Sequence, residues 1–438
     1  MTQLLKILRG HQAFDFSSQV LIYALRLIAG ILVGAYVARY LGAANFGIIS
    51  FIIALVAMIA PFIEFGTKNI LIKNVSVADE AVAGRFWGGL FLKCVISFLT
   101  LAVFLWAYHG EWFADEGINN TVLAWITGGM ILLIPWRQFE ILITAHLKNA
   151  DLMRGQICVL IANSVFKIYL VCSQQELEWF LLSYLLDNLF IIINFIWISH
   201  RNKTIPPFQF SFIDGCNLLK ESSFLMVSSV SIVLYMKSDI LMIGYFMKTQ
   251  DVGFYAVASA LVSAAYFVPT ALAKTMSKKV YQVLAANSED GFLSSVFTLF
   301  SLFGVVIGAG LMSVAPFFIP VVYGDEYLAS VTILMILALG VPAVALGLAR
   351  SLYLVHHGEY RFILFTSVLG LVCNFVLNWI FIPLYGITGA AIASVVSYYV
   401  SAVGASFFFK KEELFIGQIK SLFLTYPKIK RSFHEVKR

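Results

Sequence analysis

Charge is scarce in this chain of 438 residues: only 12% are Asp, Glu, Lys or Arg, while 60% are hydrophobic and the mean hydropathy is +0.88. Water-soluble domains carry charge on about a quarter of their residues, so the composition excludes that class. Cysteine is also sparse. Its five copies (Cys94, Cys158, Cys172, Cys216 and Cys373) are odd in number and lack metal-ligand spacing, so they read as small core residues, with no metal and no cofactor assigned. A phosphate-cradling loop of the form G-x-x-x-x-G-K-[ST] is missing, so any transport must draw on an ion gradient, a substrate gradient or a partner protein.

Abundant instead are unbroken apolar runs of 18 to 25 residues, long enough to cross a bilayer as helices; a barrel would show short alternating segments. We read twelve spans, at about 14–38, 46–66, 86–108, 121–143, 155–173, 178–199, 222–246, 252–273, 292–315, 328–348, 361–382 and 386–409. The fold class is therefore an all-α polytopic membrane protein. The first run exceeds the core of a signal peptide and no small-x-small site follows it, which predicts retention as a span.

Basic residues outnumber acidic ones, 30 to 24, yet they are scattered among loops and form no aromatic-interleaved patch, which argues against nucleic acid as a partner. Their distribution follows topology. One set of connections holds Lys6, Arg9, Lys68, Lys73, Arg85, Lys148, Arg154, Arg201, Lys203, Lys220, Lys274, Lys278, Lys279, Arg350 and Arg361, and the tail from Lys410 continues it. The opposite set holds only Arg39 and Lys248, which places both termini in the cytoplasm.

The longest internal polar connection contains Pro206-Pro207 and divides the chain. We expect a first six-helix lobe at 1–199, a cytoplasmic linker at 200–221, a second six-helix lobe at 222–409 and a basic tail at 410–438. The halves echo one another: Tyr40 to Gly47 after the first span resembles Phe246 to Gly253 after the seventh, and Ile382 to Gly389 repeats the rhythm. Internal repeats of this kind are common in transporters, although any membrane protein reuses glycine turns.

Three stretches together carry a family resemblance. They are Gly34-Ala-Tyr-Val-Ala-Arg39-Tyr-Leu-Gly42 leading to Phe46-Gly47, then Ser238-Asp239-Ile-Leu-Met-Ile-Gly244, then Pro383-Leu-Tyr-Gly386-Ile-Thr-Gly389-Ala-Ala-Ile-Ala. The chain resembles the Wzx-type flippases of O-antigen and polysaccharide biosynthesis, within the multidrug/oligosaccharidyl-lipid/polysaccharide exporter superfamily. The resemblance implies two bundles around a central cavity that opens alternately to either side. It implies an undecaprenyl-pyrophosphate-linked oligosaccharide as substrate, moved from the cytoplasmic to the periplasmic leaflet of the cell inner membrane. Polymerase and chain-length proteins of the same pathway are the further partners it suggests.

Charges inside the spans are the candidate functional residues, because a charge in lipid is costly unless paired or facing water. They are Arg26, Glu64, Lys93, Arg137, Glu140, Lys167, Asp187, Lys237 and Asp239, and spans eight to twelve hold none away from their ends. Arg26 and Lys167 lie deep without a sequence-local acid, which suits them to a diphosphate headgroup; a salt bridge from Asp187 to one of them is the structural alternative. Lys93, Arg137 and Lys237 are the remaining substrate-binding candidates. Arg137 and Glu140, three residues apart, are expected to pair with each other, and Glu64 and Lys93 to reach the cytoplasmic boundary. Lys237 and Asp239 point about 200° apart on a helix. Asp239 is a candidate proton or sodium site, or half of an inter-helix bridge, and Asp187 and Glu64 complete the ion-coupling candidates.

At each end of the chain, Leu4 to Arg9 and Ile416 to Phe423 read as basic amphipathic helices lying on the inner leaflet. Two rival functions remain. A polysaccharide polymerase needs a sizeable external segment for its catalytic residues, and the external connections near 109–120 and 316–328 are short. A cation-coupled multidrug exporter would favour acids in its lining, whereas the surplus here is basic.

Overall fold

The computed structural model describes residues 11–76, 81–110, 121–146, 148–285, 292–408 and 412–422. Those residues are almost wholly helical, with no strand among them. Ten helical segments are long and apolar enough to cross a membrane. Two of them are bent. Helix α1 (His11–Glu64) breaks at Gly42, φ +74°, and α14 (Tyr360–Tyr399) breaks at Gly386, φ +62°. Only glycine adopts that left-handed backbone without a steric penalty, so each bend turns one apolar segment into two crossings and the expected twelve are reached.

Between them run α2 (Lys68–Ser76), α3 (Val82–His109), α4 (Thr121–Leu133), α5 (Phe139–Ala145), α6 (Asn149–Cys172) and α7 (Leu177–Arg201). Then come α8 (Phe212–Phe246), α9 (Thr249–Ala265), α10 (Phe267–Ala285), α11 (Phe292–Tyr323), α12 (Leu328–Ala338) and α13 (Val341–His356). After α14, a π-helical turn at Val400–Gly404 leads to α15 (Ala405–Phe408) and α16 (Glu412–Leu422). The second turn of the sequence echo is a capped break, with the Asp251 carboxylate accepting from the Lys248 backbone N–H at 3.3 Å.

Two compact units divide the chain, residues 1–233 and 234–438, with the division falling inside α8. The segment 206–211 is strapped onto α3 in the first unit. Trp87 Nε1 donates to the Pro207 carbonyl at 3.1 Å, Phe208 packs on Trp87, and Phe210 meets Phe91 edge-on. Arg85 clamps Glu221 through two nitrogens at 3.3 and 3.2 Å, joining α3 to α8. Gly88 and Gly215 lie backbone against backbone, and a methyl group on either would collide.

The core of the second unit gathers Phe297, Phe300, Leu346, Leu354 and Val403. Arg350 is buried there and donates from one nitrogen to the Ser401 and Ala402 carbonyls, both at 2.8 Å. Those carbonyls belong to the π turn, where the α-helical ladder is interrupted and acceptors are freed. One face of helix α16 is docked on this core, with Leu414 buried, Phe415 and Ile419 packed on it and Gln418 Nε2 donating to the Ala402 carbonyl at 2.9 Å, while Ile416 is exposed. The N-terminal segment Leu4 to Arg9 lies outside the described residues.

Candidate functional site

The first unit contains a polar cavity of about 410 Å³, within the range of small-molecule sites. It is built around a sharp turn. Helix α1 ends at Glu64, and Phe65 (φ +53°) and Gly66 (φ +63°) take left-handed backbone before Thr67, whose hydroxyl donates to the Glu64 carbonyl at 3.1 Å. The turn brings Glu64 and Lys68 to one wall. Helix α3 supplies Lys93, and a short 3₁₀ stretch, Ile134–Gln138, carries Arg137 and Gln138. Leu225, Ser228, Ser229 and Val233 of α8 complete the lining.

Pairing inside the cavity differs from the sequence expectation. Arg137 reaches Glu64 at 3.5 Å and Glu140 takes Lys68 at 3.0 Å, so the Arg137–Glu140 pair does not form. Arg137 sits on the 3₁₀ stretch and Glu140 on the α-helix that follows it, and each takes its partner from the turn between Glu64 and Lys68 instead. Lys93 also departs from expectation. Its side chain is 3% exposed and does not snorkel to a boundary. Among the described residues no acid lies within salt-bridge distance of its ammonium, because Glu64 and Glu140 are engaged elsewhere. Beside it Gln138, also 3% exposed, donates from Nε2 to the Phe86 carbonyl at 2.7 Å while its Oε1 has no hydrogen-bond partner.

A second cluster lies in the other unit, around Asp239, which is 4% exposed. Its carboxylate accepts four hydrogen bonds: from Asn374 Nδ2 (2.9 Å) and Asn378 Nδ2 (2.6 Å) on Oδ1, and from the Tyr255 (2.8 Å) and Ser394 (2.6 Å) hydroxyls on Oδ2. Helices α8, α9 and both halves of α14 contribute. Ser238 donates to Asn374 Oδ1 at 2.7 Å, while Asn378 Oδ1 is buried without a partner. A carboxylate held by four donors in this way is fixed in place.

The other candidates stand apart from both clusters. Lys167 lies over the Tyr184 ring, 3.6 Å from its centroid, as a cation–π contact between α6 and α7. Asp187 is partly buried on α7 and has interactions of its own. Lys237 is partly exposed on α8 and joins none of the bonds to Asp239. The Arg26 side chain lies outside the described residues. Sequence reasoning passed over Gln138, Lys68, Tyr255, Asn374, Asn378 and Ser394. A signal for two of them was available: Asn374 and Asn378 stand four apart on an apolar helix, a spacing that puts two amides on one face.

Comparison with known proteins agrees with this architecture. A probable low-salt glycan biosynthesis flippase of Haloferax volcanii is 24% identical over 84% of this chain and 77% of its own length. A protein named as an O-antigen transporter in Escherichia coli K12 is 21% identical over 69% of this chain and 73% of its own. Among solved structures, the lipid II flippase MurJ in an inward closed conformation superposes with a TM-score of 0.71 at 16% identity, covering 95% of each chain. A multidrug resistance MATE transporter, inward-facing, gives 0.70 at 13% identity over 90% of this chain and 96% of that one. At these identities the two structures establish a shared fold. The model for the polysaccharide biosynthesis protein family matches residues 36–332, well over half of the sequence, and the chain belongs to that family.

Proposed function

We propose that this protein is a flippase that moves an undecaprenyl-pyrophosphate-linked oligosaccharide, an O-antigen unit or a similar repeat, from the cytoplasmic to the periplasmic leaflet of the cell inner membrane. The observation that carries the reading is the named role of its relatives, since a glycan flippase aligns with 84% of the chain. The first unit's cavity supports it, with more cationic than acidic side chains in its lining, as an anionic headgroup requires. Both termini are cytoplasmic in this reading, translocation proceeds by alternating access, and the protein is a transporter without catalytic chemistry. Arg26 and Lys167 remain headgroup candidates, and polymerase and chain-length proteins are the partners that act on the exported unit.

Energy enters through Asp239, binding a proton or sodium at the donor-rich cluster. In the ion-free state the amide and hydroxyl donors stabilise the carboxylate. Ion binding requires the Asn374 and Asn378 amides to turn oxygen toward the site, and the unpartnered Asn378 Oδ1 marks where that exchange costs least. Disrupting the gene in its native cell tests the function. Lipid-linked oligosaccharide should accumulate on the cytoplasmic face and the surface glycan should disappear, with both reversed by the intact gene. Normal surface glycan after clean disruption refutes the reading.

A further inference from the structure

The cavity around Lys93 combines two features that together select a ligand. The first is surplus charge. Lys68 and Arg137 are neutralised by Glu140 and Glu64, which leaves Lys93 as a buried ammonium without a hydrogen-bond acceptor among the described residues. A buried cation left in this way is costly, and an anion entering the cavity relieves the cost. The second is surplus acceptors. Gln138 Oε1 is buried and unpartnered, and the Thr67 and Ser229 hydroxyls already donate to the Glu64 and Leu225 carbonyls, so toward the cavity they offer lone pairs.

A simple phosphate satisfies the cation and wastes the acceptors, because it brings few protons to donate. A free sugar satisfies the acceptors and brings no charge to balance the ammonium. A glycosyl phosphate does both. We infer that this cavity is a docking site for the glycosyl phosphate junction of the substrate, with Lys93 on the phosphate oxygens and Gln138 Oε1 accepting a hydroxyl of the first sugar. The inference rests on the flippase reading and adds to it a station at which the first sugar is inspected before translocation. The volume of about 410 Å³ is enough for one sugar with its phosphate.

Calorimetric titration of the full-length protein in phosphatidylcholine nanodiscs tests the assignment, using N-acetylglucosamine 1-phosphate, inorganic phosphate and N-acetylglucosamine as separate probes. The sugar phosphate should bind about tenfold or more tightly than either fragment. Lys93→Met should weaken sugar-phosphate binding by about tenfold or more, the loss of a charge-assisted bond, while Lys93→Arg keeps most of it. Gln138→Met should erase the advantage of the sugar phosphate over inorganic phosphate. Replacing a buried unpaired charge with an apolar side chain of similar length leaves the fold intact, and a thermal melt of each variant verifies that.

Undiminished binding by Lys93→Met, equal binding of phosphate and sugar phosphate, or absence of binding to the wild type each overturns the inference. So does displacement of the sugar phosphate by phosphatidylglycerol added to the nanodisc, which would make the cavity a phospholipid headgroup site. These outcomes separate from the function itself. If the pocket fails while the intact gene still restores surface glycan, the docking site is lost and the flippase stands; if the gene fails to restore glycan, the flippase falls whatever the cavity binds.

Discussion

The Arg137 guanidinium lies 3.5 Å from the Glu64 carboxylate in the lining of the first unit's cavity, with the two side chains 48% and 43% exposed. An ion pair so open to solvent contributes less than about 1 kcal/mol to stability. Its value lies in holding two charges at the cavity wall. Arg137→Gln should therefore leave the melting temperature near that of wild type while reducing glycan export, and paired melts and export assays on one preparation check this. A large loss of stability with normal export would make the pair structural.

Asp239 is the opposite case, a carboxylate closed on all sides by four donors. Asparagine is nearly isosteric, but its amide nitrogen must face donors already aimed at an oxygen, so at least two bonds are lost. Asp239→Asn should destabilise by about 1–3 kcal/mol per unsatisfied group and should remove the dependence of export on an imposed proton or sodium gradient. Glutamine at Asn378 supplies the comparison, since it keeps the chemistry and misplaces it. Gradient-dependent export that survives Asp239→Asn would confine this cluster to structural bridging.

At Gly66 the backbone sits at φ +63° and a Cβ would come within 2.6 Å of the Met226 backbone nitrogen. Gly66→Ala thus pays for a left-handed residue, roughly 1–2 kcal/mol, and for a clash that pushes α8 away from the cavity. Gly34 has open space around it, so Gly34→Ala should be neutral or mildly stabilising because alanine favours helix. Thermal melts of the two variants should differ clearly; equal melts would mean that the turn at 65–67 is not under constraint.

How far the sequence reached depends on the kind of physics involved. Apolar run length fixes a membrane crossing almost alone, so the spans were legible, and the turn at Tyr40 to Gly47 was visible because its glycine permits the bend now seen at Gly42. Partner choice was less legible. Arg137 and Glu140 are adjacent on an ideal helix, and nothing in their spacing announces the turn that delivers Glu64 and Lys68 from elsewhere to pair with them. Lys93 looked like a boundary residue because its depth along the chain is modest. Its burial comes from neighbours contributed by α1, the 3₁₀ stretch and α8. The Asp239 cluster was half legible: a charge in a span signals a site, but neutral Asn374, Asn378 and Ser394 carry no charge to draw notice, and their convergence is tertiary.

The proposed orientation, with both termini cytoplasmic, rests on the cation count in the connections and is open to direct measurement. In intact cells a membrane-impermeant maleimide should label a cysteine placed at Asp115 and should not label one placed at Asn202 until the membrane is permeabilised. The native cysteines are first replaced by serine or alanine. Labelling of position 202 in sealed cells would invert the topology and the direction of transport with it.

Flipping in a defined membrane is the most direct measurement of the proposed function. Proteoliposomes carrying the purified chain and a fluorescent undecaprenyl-pyrophosphate-linked oligosaccharide are exposed to an external enzyme or quencher that cannot cross the bilayer. About half of the probe should be protected in protein-free vesicles, the share in the inner leaflet, and wild-type protein should make nearly all of it accessible with time. Asp239→Asn should slow that approach under an imposed ion gradient. Protection that stays the same with and without the wild-type protein, under every gradient applied, would contradict the claim that this chain is a flippase.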